Sequence, residues 1–431
     1  MDDQTDRRQF ITALGAGSLA LTAGCTDQFS DATPGGDDNG EDSDDTAPVD
    51  DNEEQDATPP AIDHGEVVDD FEDLDEWAAL EGDITPDEDE ALTGSQVPRI
   101  ENAGNVAGMF RAYPDGLDME GHHLSLAVRV ENPRPVGITV RILAPGEADQ
   151  LESTRTIVGT YEGWLRMDVG YTNQVGEPFL DDVQEIQILI ESQDEEEIRF
   201  WVDDLRMTPA ADQGYVMLTF DDGVESQYEN ALPLLEERGM SATASVVPDS
   251  LNREDRMTID HLREMRDAGW DISSHPEGEA FMELNDPESI RQVIESDYEY
   301  LDERGFPDGA RSMFVPYHNT NEEVVEITRE YHDLSSYFGG TPNAVPFTDP
   351  MHLSRVDMHD LEGFTSMIDI AEEHNQLAIG LAHGIVPENE IEDDPLADMT
   401  TEELEELLDY IEESDVQVVT PSDLLDSQED L

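Results

Sequence analysis

Between residues 214 and 425, short apolar runs alternate with amphipathic stretches of helical period, and this alternation limits the fold more than any other feature. Residues 215–220 (YVMLTF) read as a buried strand. A helix follows with Tyr228, Ala231, Leu234 and Leu235 on one face, ending at Gly239. The pattern predicts further strands at 241–247, 270–272, 312–316, 377–382 and 416–419, and helices near 258–268 and 287–304. The last long helix opens on a capping box, Thr400 to Glu403, and carries Leu404, Leu407, Leu408 and Ile411 at i, i+3, i+4 and i+7. Alternating strands and helices imply parallel βα units, hence an α/β barrel or an open sheet.

Reactive residues stand where these strands end. The first strand runs into Asp221-Asp222-Gly223, the 270s strand into Ser273-Ser274-His275, the 312–316 strand into Pro316-Tyr317-His318, and the 377–382 strand into His383-Gly384. In a barrel the C-terminal strand ends share one face, so two carboxylates and two histidines would meet at one mouth. Such a set suits a metal with an acid and a base.

These residues carry a family resemblance. Thr219-Phe220-Asp221-Asp222-Gly223 resembles the first motif of the polysaccharide deacetylases (the NodB homology domain, carbohydrate esterase family 4), and the run from Gly269 to His275 resembles the approach to the second. Val315-Pro316-Tyr317 is similar to the third motif, and Leu381-Ala382-His383-Gly384 to the last. The resemblance implies a distorted (β/α) barrel with a divalent metal, Zn²⁺ by preference. It makes Asp221 the general base, Asp222 and His275 metal ligands, the Tyr317 backbone N–H an oxyanion donor and His383 the general acid. Pro316 and His318 fall beside the substrate.

Three positions depart from the family pattern. Glu279 stands where a second metal-binding His is usual. A carboxylate can replace imidazole on Zn²⁺, so Glu279 is the expected third ligand, with a surface acid as the other reading. Val315 lies near the place of an Arg that orients the base, and Arg311 or Arg355 would have to serve instead. His318 follows Tyr317 where Gly is common, and is an alternative source of a missing ligand.

Residues 65–208 follow a different rule. Runs at 124–130, 137–142, 183–190 and 198–202 alternate with period two and are separated by turn residues, which predicts an antiparallel β-sandwich. The opening Asp69-Asp70-Phe71-Glu72-Asp73 and the closing Phe200-Trp201-Val202-Asp203-Asp204 resemble the first and last strands of galactose-binding-like jelly rolls. Trp77, Trp164 and Trp201 are sugar platforms in one reading and core residues in the other. Asp70, Asp203 and Asp204 are candidates for a structural Ca²⁺, which takes six to eight oxygen ligands.

Charge decides among partners. Of 431 residues, 106 are Asp or Glu and 21 are basic, all of them Arg, for a formal net charge of −85. Nucleic acid is excluded, because phosphate binding needs clustered cations. Disorder would explain the acid in a chain without apolar periodicity, but from residue 66 onward acids are interleaved with regular apolar runs. Adaptation to high salt explains both, since about 1 M salt cuts the Debye length to roughly 3 Å. At the start, Arg7-Arg8-Gln9-Phe10 resembles a twin-arginine export motif. The uncharged stretch 11–24 is too short to span a bilayer, and Ala23-Gly24-Cys25 resembles a lipobox. Cys25, the one cysteine, is the expected lipidation site. Residues 26–60 hold thirteen acids and no Arg, the pattern of a disordered tether.

The sequence therefore predicts a signal peptide of haloarchaeal twin-arginine lipoprotein type (1–24), an acidic linker (25–64), a β-sandwich (65–208) and a deacetylase barrel (209–431). The implied protein is a monomeric, lipid-anchored cell-surface hydrolase that removes N- or O-linked acetyl groups from a polysaccharide. It would touch the membrane only through Cys25. The alternative is a surface glycan-binding protein on a catalytically degenerate barrel, motivated by Glu279 and Val315.

Overall fold

The computed structural model describes residues 65–133, 136–157, 161–192, 197–277, 281, 286–318, 320–391, 394 and 396–428. The export motif, Cys25, the acidic linker and Glu279 lie outside the described residues.

Seven parallel strands close into a barrel: Tyr215–Phe220, Thr243–Val246, Asp271–Ser274, Ser312–Phe314, Leu334–Gly339, Leu353–Asp357 and Leu377–Ala382. Each pairs with the next along the chain, and the seventh pairs with the first. This settles barrel against open sheet. The strand predicted at 416–419 shrinks to Gln417–Val418, which pairs with Tyr215 and Val216. It cannot extend into an eighth stave, because Asp423 accepts from the Thr420 backbone N–H and the helix Pro421–Gln428 starts at once. The helices form where their apolar faces predict. Ile259–Asp267 begins at the Thr258 cap, and Leu404, Leu407, Leu408 and Ile411 bury one face of Thr401–Glu413.

The N-terminal part consists of two antiparallel sheets that share one core. One sheet runs in the order Asp83–Asp87, Val97–Asn102, Ile198–Pro209, His122–Asn132, Leu165–Asp168. The other contains Asp149–Ile157, Val136–Gly146, Val183–Glu191, Val106–Leu117 and Trp77–Glu81. Period-two alternation is the cause: Leu124, Leu126 and Val128 share one hydrophobic core with Ile186, Ile188 and Ile190, while the residues between them lie on the opposite faces of their sheets, where Ser125, Ala127 and Leu189 are covered as well.

Two readings of this region resolve. Trp77 and Trp201 are core residues: both are buried, and they donate to Asp69 (2.8 Å) and Asp87 (3.1 Å), while the half-buried Trp164 donates to the Glu90 carbonyl (3.2 Å). Among the described residues no group of three metal-capable side chains gathers around the candidate Ca²⁺ acids. Asp203 accepts from the backbone of Thr93 and Asp204, and Asp204 pairs with Arg166 and Arg206, so protein donors occupy their oxygens. Asp70 accepts locally from Glu72 N–H.

The sandwich and the barrel are continuous. Strand Asp149–Ile157 pairs antiparallel with the fifth barrel strand, Phe338 opposite Ile157 and Gly339 opposite Thr156. Beside this seam Arg155 is fully buried and donates to the carbonyls of His352 and Pro342 (both 3.1 Å). Gly170 is required there, since a Cβ would stand 1.8 Å from the Pro342 oxygen.

Candidate active site at the barrel mouth

Asp221 follows the first strand, and its N–H still donates to Ala382 of the seventh (2.9 Å), so the ladder itself sets the carboxylate at the mouth. The residue is 2 % exposed. Its Oδ1 accepts from Arg355 Nη1 (2.9 Å) and from the Ser245 hydroxyl. Burial pushes this carboxyl upward, but the Arg355 cation, with His275 and His383 behind it, outweighs burial and holds it well below the usual carboxylate range.

Asp222 turns the chain outward. It sits in the left-handed region (φ 72°), as does Gly223 (φ 64°); Asp tolerates that conformation better than most side chains. Arg256 donates to the Asp222 carbonyl (2.8 Å) and stands 3.8 Å from its carboxylate.

His275 closes the third strand and is buried. Its Nδ1 lies 2.6 Å from the Phe314 carbonyl. A carbonyl only accepts, so Nδ1 carries the proton and Nε2 offers a lone pair. That Nε2 stands 3.6 Å from Asp222 Oδ1. Two ligands of a tetrahedral Zn²⁺, at about 2.0–2.1 Å each, lie roughly 3.3 Å apart, so this pair fits a divalent metal. Among the described residues no third metal-capable side chain joins it, and Glu279, the expected third ligand, lies outside them.

The fourth strand delivers the turn Pro316–His318. Tyr317 has φ 55° and is 63 % exposed, a left-handed conformation that aims its backbone away from the helical path. Pro316 is buried, so it shapes the turn and offers no open face to a substrate. The His318 side chain lies outside what is described.

His383 closes the seventh strand. Its backbone N–H donates to Asp398 Oδ1 (2.9 Å) and its Nδ1 to Asp398 Oδ2 (2.6 Å). Burial works against the cation, but the Asp398 hydrogen bond and charge, with Asp221 and Asp222 adding to the field, push His383 up to about 9. Gln227 ties the two strand ends together, donating to the carbonyls of Asp221 (2.6 Å) and His383 (3.1 Å). It begins a π-helical turn, Gln227–Ala231, a distortion common at functional sites.

The structure thus brings Asp221, Asp222, His275 and His383 to one mouth. It also answers the open question about the orienting cation. Arg355 pairs with Asp221, whereas Arg311 pairs with Asp333 and Asp426 elsewhere. Asp398, Ser245, Gln227 and Arg256 did not stand out in the sequence. Arg355 was one of the two cations the sequence offered for this role, and its place on the sixth barrel strand selects it.

Residues 208–332 match the family model described as "Polysaccharide deacetylase". YxkH of Bacillus subtilis (strain 168), named as a polysaccharide deacetylase, is 30% identical over 116 residues, which are 27% of this chain and 41% of that protein. The chain therefore spans less than half the length of this relative. Among solved structures, the chain resembles the Xyl-CE4 domain of a multidomain xylanase from the hindgut metagenome of Trinervitermes trinervoides (15% identity, TM-score 0.35, 51% of this chain and 92% of that one). It also resembles the family 11 carbohydrate-binding module of the cellulase Lic26A-Cel5E of Clostridium thermocellum (16% identity, TM-score 0.27, 34% and 94%). Asp221, Asp222 and His275 all fall inside the stretch that matches the polysaccharide deacetylase model.

Proposed function

We propose that the chain is a metal-dependent hydrolase that removes acetyl groups, N- or O-linked, from a polysaccharide. One observation carries this reading: two titratable groups at the same mouth are driven in opposite directions. Asp221 is kept ionised by Arg355, and His383 is kept protonated by Asp398. Such a split assigns the base and the acid.

Asp221 takes a proton from the water that attacks the acetyl carbonyl, using the carboxylate edge that Arg355 and Ser245 leave free. A divalent metal held by Asp222 and His275, with Glu279 completing the set, would supply Lewis-acid polarisation and a more acidic water, which a base as weak as Asp221 needs. The Tyr317 N–H stabilises the oxyanion. His383 then protonates the departing sugar amine or hydroxyl. The glycan-binding alternative loses its motive at Val315, because Arg355 takes the orienting place from another strand. Export through the twin-arginine route and a lipid on Cys25 would hold the protein, as a monomer, outside the cytoplasmic membrane facing its polymer.

The test is Asp221→Asn. It keeps the shape of the site and removes the base, so acetate release should fall at least a hundredfold while the metal content of the purified protein is unchanged. Release at the parent rate would overturn the assignment.

A further inference from the structure

The first and seventh barrel strands separate just where the two reacting groups stand. The Asp221 N–H still bonds the Ala382 carbonyl (2.9 Å). The next rung of a parallel ladder would bring the Gly384 N–H to the Asp221 carbonyl. Gly384 donates instead to the Leu396 carbonyl (2.8 Å), because Gly384–Val386 pairs with Ala397–Thr400 in a separate two-stranded sheet. His383 leads into one strand of that sheet, and its partner Asp398 lies on the other. The proton donor and the carboxylate that keeps it charged therefore form one unit, which has left the barrel ladder. Asp221 stays in the barrel wall with Arg355 and Ser245.

One turn of chain spans the gap. Gln227 is fully buried, and its amide nitrogen donates to the carbonyls of Asp221 (2.6 Å) and His383 (3.1 Å), both just past the ends of their strands. Both partners only accept, so the nitrogen with its two N–H groups must face them. The carboxamide thus stands in for the missing rung. Ser226 and Asn230 extend the tie: the Ser226 hydroxyl accepts from the Ile385 N–H (3.0 Å), and the Asn230 amide donates to the Ile385 carbonyl (2.7 Å). The turn that carries them is π-helical, with the Leu232 N–H reaching back to the Gln227 carbonyl. Such turns break helix regularity and are frequent at functional sites. Here the turn brings three neighbouring side chains to bear on the backbone around one histidine.

We propose that Gln227, supported by Ser226 and Asn230, is a positioning residue that holds the His383–Asp398 unit in register with Asp221, so that the acid reaches the leaving group while the base faces the attacking water. The inference rests on the base and acid roles given above. Because the tie acts through backbone, its loss displaces His383 together with Asp398 and leaves Asp221 in the barrel wall. The cost falls on proton delivery to the leaving group, and the charge on His383 is kept.

The experiment uses the full chain in molar KCl and compares the parent with Gln227→Met, which keeps the side-chain length and removes both donors. Two probes differ in what the leaving group needs. 4-Nitrophenyl acetate expels a weakly basic phenolate that departs without a proton; glucose pentaacetate expels a sugar hydroxyl that must be protonated. The variant should lose about tenfold or more in kcat/KM on the sugar ester and about threefold at most on the aryl ester. The basic limb of its pH profile should stay at the parent position, because Asp398 moves with His383. Hydrogen exchange should quicken at residues 383–386 and not at 215–221. Should Gln227→Met not fold, Asn230→Ala removes a half-buried member of the tie and should give the same contrast between the esters at about threefold. An equal fall on both esters, no fall on either, a displaced basic limb, or unchanged exchange at 383–386 overturns the inference. The two readings fail separately. A parent that cleaves both esters, with a variant that treats them alike, sinks the positioning role alone. A parent that releases no acetate sinks the deacetylase reading, and exchange at 383–386 then decides whether the tie exists.

Discussion

Arg355 offers the sharpest test of how the site is built. It is 3 % exposed, donates to Asp221 and Thr219, and lies 4.8 Å from the Phe314 ring centre. Arg355→Met keeps much of the volume and removes the charge. Asp221 is then a buried carboxylate with the Ser245 hydroxyl and His275 but no close permanent cation. Breaking a buried pair from one side costs about 3–5 kcal/mol, a large share of the roughly 5–15 kcal/mol that holds a domain together. Asp221→Asn alone strands the Arg355 cation at a similar cost. The double variant strands neither, so its loss should fall short of the sum of the singles by about 2 kcal/mol or more. Urea unfolding in molar KCl at pH 7 measures all four chains. The sign with pH is also fixed. In the parent the Asp221 carboxyl is depressed below its ordinary 3.8, so its contribution is present above that value and fades as pH falls through the lower one. Without Arg355, burial dominates and raises the carboxyl, so the variant's penalty should shrink as the pH falls toward 4. Additivity of the two singles within about 0.5 kcal/mol, or a penalty that does not change with pH, would refute the reasoning.

Asp398→Asn removes the partner that raises His383 to about 9. The imidazole should fall toward its ordinary 6.5, and the basic limb of the acetate-release profile should move down by at least one pH unit; a limb that stays in place counts against His383 as the acid. His332 is fully buried, donates to the Ala310 carbonyl (2.8 Å), and is pushed by burial down to about 4. A base depressed from 6.5 to about 4 contributes roughly 3 kcal/mol above pH 6.5, lost as pH falls to 4. The melting temperature should therefore drop across that window, and His332→Gln should flatten the drop; a parent-like slope in the variant rejects it. Finally, the chain should melt at a lower temperature in dilute buffer than in molar KCl, and equal melting points in the two would remove the salt-adaptation reading.

What was legible in the sequence follows from which residues carried contrast. Asp221 and Asp222 stood out from more than a hundred acids because an uninterrupted apolar strand ends on them. Two barrel strands, Leu334–Gly339 and Leu353–Asp357, were missed for the opposite reason. Both are interrupted by polar residues, and in the first the burial of Ser335 and Ser336 is offset because their hydroxyls return to the carbonyls of Met313 (2.6 Å) and Leu353 (3.1 Å). That satisfaction depends on neighbouring strands and leaves no mark in local polarity. Asp398 had no contrast either. It is one acid among many, fifteen positions after the histidine it serves, and only the parallel pairing of Gly384–Val386 with Ala397–Thr400 brings them together. Trp77 and Trp201 looked like platforms because aromatic rings in a sandwich suit either role; their burial decides for packing.

The excess of acid gives three of the arginines a particular weight, although most of the others pair with acids nearer the surface. At about 1 M salt an exposed ion pair is screened within roughly 3 Å, whereas a buried pair keeps most of its strength. The few cations placed inside therefore contribute most per pair. Arg355 is buried against Asp221, Arg166 and Asp204 are each about one-tenth exposed, and Arg155 is sunk among carbonyls at the seam between sandwich and barrel. Each of these sites asks one cation to reach two or three acceptors at fixed angles. A guanidinium does this with a rigid fork, while an ammonium on a flexible stem is a point charge that holds its water more tightly. The absence of lysine is then consistent with the interior as well as with the surface, because the cations that matter most here are those that water and salt cannot reach.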